Sequence, residues 1–226
     1  AASDVYKRQS FAWSVATGDY DWYVLELSSF QLDGMFRFRA DIGVLTNITP
    51  DHLDRHKTLE NYIAIKESIT KNQDENDFCV LNYNDPVLRE FGKTPRCKVI
   101  FFSSSEKLES GVFLRGDTMI IKENGVETPV CTTKDTSLVG MHNYENIMAA
   151  IAMTHAMGVP LDTIRQGIKE FTAVEHRIEF VTEKNGVKYY NDSKGTNPDA
   201  AIKAVCAMPS PTILIGGGYD KKSSYD

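Results

Sequence analysis

The sequence predicts an α/β protein with a mostly parallel sheet flanked by helices, a small antiparallel elaboration and the start of a second α/β domain. Two observations favour this fold. Short apolar runs at residues 22–27, 42–47 and 78–81 alternate with helical patterns, and a run that is apolar on both faces is typical of a buried parallel strand. Polar loops follow such runs, as expected at the carboxyl edge of a parallel sheet.

Composition narrows the class of protein. The 226 residues are enough for one large domain, or for one domain and part of another. A net charge of −6 argues against bulk-charge binding to nucleic acid or membrane surfaces. The four cysteines are far apart and form no Cys-x-x-Cys, so we expect reduced thiols. No apolar stretch approaches the roughly 20 residues that cross a bilayer. We therefore expect a soluble cytoplasmic protein.

The first two predicted strands lead to candidate metal ligands. Residues 1–9 lack periodicity, and we expect a non-native or disordered leader there. The strand at 22–27 would place Glu26 near its carboxyl end, where a carboxylate can hold Mg²⁺; the alternative is a glutamate that faces water. The strand at 42–47 leads into a loop with His52 and His56. If the strands are parallel, Glu26 and His52 share one edge.

A helix is predicted at residues 58–73, with Thr58 as its N-cap. Lys66 shares the half-apolar face of Tyr62 and Ile69. Partial desolvation favours the neutral amine, which can take up CO₂ as a carbamate and hold a metal. The alternative is an ordinary solvated lysine.

The next segment carries a misleading phosphate-loop signal. Gly92-Lys-Thr94 is the one GK[ST] sequence in the chain, but Val87 occupies the position where a phosphate-binding loop needs glycine, and a helical pattern precedes it. Residues 98–102, 112–114 and 119–122 alternate with turn signals, which predicts the antiparallel elaboration.

Helices are predicted at residues 144–157 and 161–171. His142 and Asn143 would lie at the N-terminus of the first, suited either to polar recognition or to simple capping. We place a domain boundary between residues 174 and 175. Strands at 178–182 and 187–190 then lead into the polar loop 191–198 before a helix at 199–208, a good position for an anion or nucleotide. A strand at 212–215 precedes a Gly-rich loop.

Five blocks in order resemble the Mur ligase family, from about residue 10 to residue 226. They are Glu26-Leu-Ser-Ser-Phe-Gln31, Asn47-Ile-Thr-Pro-Asp-His-Leu-Asp-Arg55, Gly140-Met-His-Asn143, His176-Arg-Ile-Glu179 and Asn191-Asp-Ser-Lys-Gly-Thr-Asn197. The first and last blocks, with Gly216-Gly-Gly-Tyr-Asp-Lys221, are most similar to the D-glutamate-adding branch of the family.

The resemblance implies a central ATPase domain at residues 10–174 and a truncated Rossmann-like C-terminal domain at 175–226. It implies a monomer that uses ATP and two Mg²⁺ to join D-glutamate to UDP-N-acetylmuramoyl-L-alanine through an acyl phosphate, without nucleic acid or membrane insertion. The residues implied fall into three groups. Catalytic and metal-binding residues are Glu26, His52 and carbamylated Lys66; ATP-binding residues are His142, Asn143, Arg177, Asp192 and Lys194; substrate-binding residues are Ser28, Gln31, Thr196 and Lys221.

The family pattern is incomplete in this sequence. We expect a fragment that lacks the UDP-binding domain and the phosphate-binding loop, and that has no ligase activity by itself. The alternatives are a sibling Mur ligase or a folylpolyglutamate-type ligase, a zinc protein that uses His52 and His56, and a catalytically inactive interaction module. Leu53 disfavours zinc, because it stands where an HExxH helix needs glutamate.

Overall fold

The computed structural model describes residues 16–50, 52–172, 175–196 and 198–218. The chain divides into two compact units. The larger unit consists of Glu26–Thr136 and Met141–Phe171, and the smaller unit contains the remaining described residues. The predictions for residues 1–9 and for Lys221 lie outside the described residues.

The larger unit is built on a mixed sheet. Its strands, in spatial as well as chain order, are β1 (Ile42–Leu45), β2 (Phe78–Asn82), β3 (Lys98–Ser103), β4 (Gly111–Arg115), β5 (Thr118–Glu123) and β6 (Val126–Thr132). The first four strands pair in parallel, and β4, β5 and β6 pair in antiparallel fashion. The predicted α/β fold with a mostly parallel sheet is confirmed.

The antiparallel elaboration is an extension of the main sheet. Residues 98–102, assigned from sequence to the elaboration, instead form β3, which pairs in parallel with β2. That assignment was wrong because turn signals on either side of a strand do not reveal its neighbour's direction. Strand β6 was missed; Pro129 interrupts its pattern, although edge strands tolerate proline.

Helices cover the sheet and connect its strands. In the larger unit they are α1 (Ser29–Asp33), α2 (Leu53–His56), α3 (Leu59–Glu67), α4 (Pro86–Phe91), α5 (Met141–Ala156) and α6 (Leu161–Glu170). Thr58 accepts a hydrogen bond from the Asn61 amide and so caps α3 as predicted. A 3₁₀ turn at Ser68–Thr70 continues α3. Gly92 directly follows α4, which agrees with the exclusion of a phosphate-binding loop.

The core packs both α4 and α5 against the sheet. Helix α5 packs on β2, β3 and β4, and fully buried side chains such as Leu81, Phe102, Phe113 and Met148 fill the unit. An apolar core on the strands and along one helix face is what fixes the sheet beneath the polar loops.

The smaller unit contains a hairpin of β7 (Glu179–Lys184) and β8 (Val187–Asn191) and the helix α7 (Pro198–Cys206). Asn185 and Gly186 connect the strands with φ values of 54° and 76°, as a type I′ turn requires. The predicted strand pair and the helix that begins at Pro198 are confirmed.

Two predicted strands are wrong. Residues 22–27 and 212–215 are not strands in the structure, and the side chains of Val24 and Ile213 are 81% and 91% exposed. An apolar run becomes a strand only when a neighbouring strand receives its hydrogen bonds, and neither segment pairs with a described strand. Glu26 therefore does not end a strand here. No helix in the described part of the chain is both long and apolar enough to span a membrane.

Candidate active site

Helix α1 begins at the first motif, Glu26-Leu-Ser-Ser-Phe-Gln31. Ser28 is its N-cap and forms a capping box with Gln31. The Gln31 amide donates to Ser28 Oγ (3.3 Å), and the Ser28 amide donates to Gln31 Oε1 (2.9 Å). Ser28 and Gln31, which were predicted to bind substrate, thus cap the start of the helix. Glu26 lies two residues before Ser28 and is exposed.

The loop after β1 is held by the junction between β2 and α4. Asn82 Nδ2 donates to the Thr46 carbonyl (3.0 Å), and the Ile48 amide donates to Asp85 Oδ2 (2.7 Å). Asp85 Oδ1 also accepts from the amides at the start of α4. The sequence Asp85-Pro86 predicts such a cap, but nothing in it predicts the bond to Ile48. Residues missed by sequence reasoning therefore fix the loop that leads to His52.

His52 is exposed and occupies the N-cap position of α2, with a left-handed φ of 51°. Lys57, at the other end of this four-residue helix, has φ 72°. Two positive φ values at residues other than glycine are conformationally costly. Helix α2 is therefore held by contacts with its neighbours rather than by its own helix propensity.

His56 is buried, with 5% of its surface exposed. Its Nε2 and Ser29 Oγ share a hydrogen bond of 2.9 Å, which joins α2 to α1. Its ring centroid lies 5.6 Å from that of Phe30 and 5.6 Å from that of Tyr62. The His56 ring therefore lies at the meeting point of α1, α2 and α3.

The same contacts extend to His52 and Lys66, two of the predicted site residues. The Phe30 ring meets His52 edge-on at 5.0 Å, and the Lys66 ammonium lies 5.8 Å from the centre of the Tyr62 ring. Lys66 is half-buried, as its predicted helix face requires. Burial also raises the pKa of the adjacent Glu67, so this end of α3 is partly shielded from water. We name the group the His56 cluster: Ser29, Phe30, His52, His56, Tyr62 and Lys66.

The zinc alternative finds no support in this geometry. His52 is exposed, whereas His56 Nε2 is engaged by Ser29 in the interior. Among the described residues, no group of three or more His, Cys, Asp or Glu side chains could hold a metal ion. A Mg²⁺ ion in a phosphoryl-transfer site does not need such a group, because phosphates and water complete its coordination.

The N-terminus of α5 carries the third motif. Asn143 is buried in its first turn and His142 is half-buried. Nearby, Glu145 Oε1 accepts from Ser104 Oγ (2.6 Å) and Asn84 Nδ2 (3.3 Å). These bonds join α5 to the loops after β2 and β3. Sequence reasoning missed this network, because its members are about 40 and 60 residues away from Glu145.

In the smaller unit, the fourth and fifth motifs come together. Asp192 Oδ1 accepts from the Ile178 amide (3.0 Å), and the Lys194 amide donates to the His176 carbonyl (3.0 Å). His176 and Ile178 have φ values of 68° and 46°. A β-branched residue in this region is an outlier of the kind that occurs at functional sites.

The structure therefore brings the predicted nucleotide residues of this unit onto one turn and one loop. Arg177 is exposed between His176 and Ile178, and Thr196 is exposed just before α7. Within the larger unit, His52 and Lys66 are joined through the His56 cluster.

The chain is similar to known proteins in sequence and in fold. A family model described as the Mur ligase middle domain matches residues 4–154. The UDP-N-acetylmuramoylalanine–D-glutamate ligase of Lachnoclostridium phytofermentans is 52% identical over 203 residues, 90% of this chain and 45% of that protein. The ligase of the same name from Lachnospira eligens is 49% identical, over 93% of this chain and 47% of that protein. The chain thus spans about half the length of the curated relatives it matches.

Solved structures support the fold alone, because their sequence identities are low. MurF from Acinetobacter baumannii matches with a TM-score of 0.56 and 18% identity, over 73% of this chain and 36% of that one. UDP-N-acetylmuramate-alanine ligase MurC from Thermotoga maritima matches with a TM-score of 0.57 and 20% identity, over 79% of this chain and 39% of that one. MurF ligase from Thermotoga maritima, with a TM-score of 0.54 and 22% identity over 76% of this chain and 40% of that one, is a complex with ADP.

Proposed function

This chain belongs to the Mur ligase family, and from that premise we propose that the full-length ligase containing it adds D-glutamate to UDP-N-acetylmuramoyl-L-alanine at the expense of ATP. The structural observation that carries the proposal is the packing of the first two motifs, together with the helix that carries Lys66, into the His56 cluster. The choice of D-glutamate rests on two relatives named UDP-N-acetylmuramoylalanine–D-glutamate ligase, which are about 50% identical to this chain. The proposed protein works as a cytoplasmic monomer.

The reaction has two steps. A carboxylate oxygen of the muramoyl-alanine substrate attacks the γ-phosphorus of ATP, the bond to the β-phosphate oxygen breaks, and ADP leaves. The amine of D-glutamate then attacks the acyl carbon, phosphate leaves with the bonding electrons, and the nitrogen loses a proton as the amide forms. Both steps gather negative charge, so the site must supply cations.

Glu26, His52 and Lys66 as a carbamate are the proposed ligands for two Mg²⁺ ions. Bound Mg²⁺ would neutralise phosphate charge and orient the γ-phosphoryl group. The carboxylate of Glu26 and a carbamate on the half-buried Lys66 would supply the oxygen donors that Mg²⁺ prefers, and the exposed His52 would add a nitrogen donor or hold a metal-bound water. Ser28 and Gln31 would border the muramoyl-alanine end.

The nucleotide and the amino acid would be held by the remaining motifs. Asn143 and His142 lie at the start of α5, where amides and side chains suit polar recognition. Arg177, Asp192 and Lys194 are the further proposed ATP-binding residues. Thr196 and Lys221 are the proposed contacts to D-glutamate; Lys221 lies outside the described residues.

The test compares the full-length ligase with the 226-residue chain. Purified full-length protein should release ADP only when ATP, UDP-N-acetylmuramoyl-L-alanine and D-glutamate are all present, and the amide product should be detected by mass spectrometry. The 226-residue chain should produce none. A panel with L-alanine, L-lysine, diaminopimelate, D-alanyl-D-alanine and L-glutamate in place of D-glutamate separates the sibling ligases. Equal turnover with another amino acid would contradict the proposed specificity.

A further inference from the structure

His56 forms the buried polar link between the motif helix α1 and the α2–α3 segment. Its Nε2 is bonded to the Ser29 hydroxyl at 2.9 Å, and Ser29 is only 3% exposed. A second link joins the same elements, from Arg55 to Asp33 at 3.3 Å, but both side chains are more than 40% exposed. Exposed ion pairs contribute little, so the His56–Ser29 bond is the stronger determinant of this junction.

The backbone of α2 needs a contact from outside the helix to fix its direction. The helix has four residues and is bounded by left-handed His52 and Lys57, so its own hydrogen bonds do not fix its direction. Asn61 Nδ2 donates to the His56 carbonyl at 3.1 Å, which ties the end of α2 to α3. The His56 side chain completes this fixation by its bond to α1.

The His56 ring also touches both aromatic side chains that contact predicted site residues. Phe30 contacts His52, and Tyr62 contacts Lys66. Tyr62 is buried, with 7% of its surface exposed, and interiors are close-packed, so a displacement of the His56 ring is transmitted to it. Phe30 is 44% exposed, and its link to His56 is the ring contact itself.

We propose that His56 is a positioning residue of the ligase: its bond to Ser29 and its ring contacts hold α2 between α1 and α3, and so fix His52 relative to Lys66. This inference rests on the proposed function. His56 itself touches no substrate. Because placement of reacting groups to within an ångström governs turnover more than ground-state binding, its loss lowers kcat rather than raising KM.

The test uses three single variants of the full-length ligase and one double variant. His56→Phe keeps an aromatic ring and removes the bond, whereas Ser29→Ala removes a single hydroxyl. His155→Phe is the matched control, because His155 lies at the far end of α5 and its side chain is 35% exposed. We expect His56→Phe to lower kcat roughly tenfold or more, with the KM values for ATP and D-glutamate within about twofold of wild type. His155→Phe should leave both unchanged.

The double variant, His56→Phe with Ser29→Ala, tests whether loss of the His56–Ser29 hydrogen bond causes the fall in kcat. If His56 acts through Ser29, the combined variant should be no slower than His56→Phe, whereas independent effects would multiply. A second measurement does not depend on activity: native-state hydrogen exchange of the α2 amides, in the full-length protein without Mg²⁺, should accelerate at least tenfold in both single variants and not in His155→Phe.

The outcomes distinguish a failure of the proposed function from a failure of the positioning role of His56. A wild-type ligase without D-glutamate-dependent ADP release contradicts the proposed function, and the exchange experiment then still tests the fixation of α2. An active wild type, with both single variants within twofold of His155→Phe in kcat, overturns the positioning role. If His56→Phe does not fold, Ser29→Ala decides, since it removes the bond without altering the ring.

Discussion

Asp85 provides the sharpest test of how the loop before His52 is held. One carboxylate oxygen accepts the Val87 and Leu88 amides at 2.9 and 3.2 Å, and the other accepts the Ile48 amide at 2.7 Å. Replacing Asp85 by alanine removes the cap and the loop bond together. Replacing it by serine keeps a good cap but cannot reach Ile48 as well.

The magnitudes follow from the two kinds of bond. An N-cap is worth about 1 kcal/mol, and a hydrogen bond to a charged acceptor about 1.5 kcal/mol at the low end of its range, which suits the half-buried Asp85. Asp85→Ala should therefore lower the free energy of unfolding of the larger unit by about 2.5 kcal/mol. Asp85→Ser should lower it by about 1.5 kcal/mol.

Native-state hydrogen exchange on the 226-residue chain measures both effects separately. Exchange of the buried Leu81 amide reports unfolding of the sheet, whereas the Ile48 amide reports local opening of the loop. We expect Ile48 to exchange roughly tenfold faster in Asp85→Ser than in wild type, from the loss of about 1.5 kcal/mol. Unchanged Ile48 protection would refute the loop bond, and equal destabilisation by serine and alanine would refute the cap.

Two further predictions concern stability. Gly111 has φ 122°, and a Cβ there would overlap the carbonyl oxygen of Phe101, so Gly111→Ala should destabilise by roughly 2–4 kcal/mol in urea titrations; Gly116→Ala, with φ 63° and open space, is the control and should cost less. Burial would raise the pKa of Asp77, but hydrogen bonds from Arg39 and a backbone amide outweigh it and lower that pKa below its usual 3.8. The stability that Asp77 contributes is thus present above about pH 4 and is lost as the pH falls through the lowered pKa. Thermal melts from pH 3 to 7 should show a smaller acid-side fall for Asp77→Asn; an identical fall would contradict this assignment.

Local rules explain what the sequence predicted well. The strand 78–81 and the cap at Thr58 depend on neighbouring residues, so periodicity and capping preferences were sufficient. Lys66 on its half-buried face follows from helical spacing alone. The family resemblance likewise depended on motif order in the chain, and the matches to the Mur ligases confirm it.

Local rules did not predict which strands pair or in which direction. Residues 22–27 have the apolar pattern of a strand, but a strand exists only where a neighbour receives its backbone hydrogen bonds. Residues 98–102 were placed in the wrong part of the sheet, since the direction of pairing is a property of two distant segments. Neither fact is encoded within the run itself.

The amino-acid sequence alone was enough to identify the family, the capped helix after Thr58 and the strand 78–81, and it supplied the candidate residues Glu26, His52 and Lys66. The connection between His52 and Lys66 emerges only from the folded unit, through the bond of His56 to Ser29 across 27 residues and the contacts of the His56 ring with Phe30 and Tyr62. The reason is physical: a hydrogen bond between two buried side chains requires both to leave water together, and the packing of the whole unit, rather than spacing along the chain, selects which partners meet.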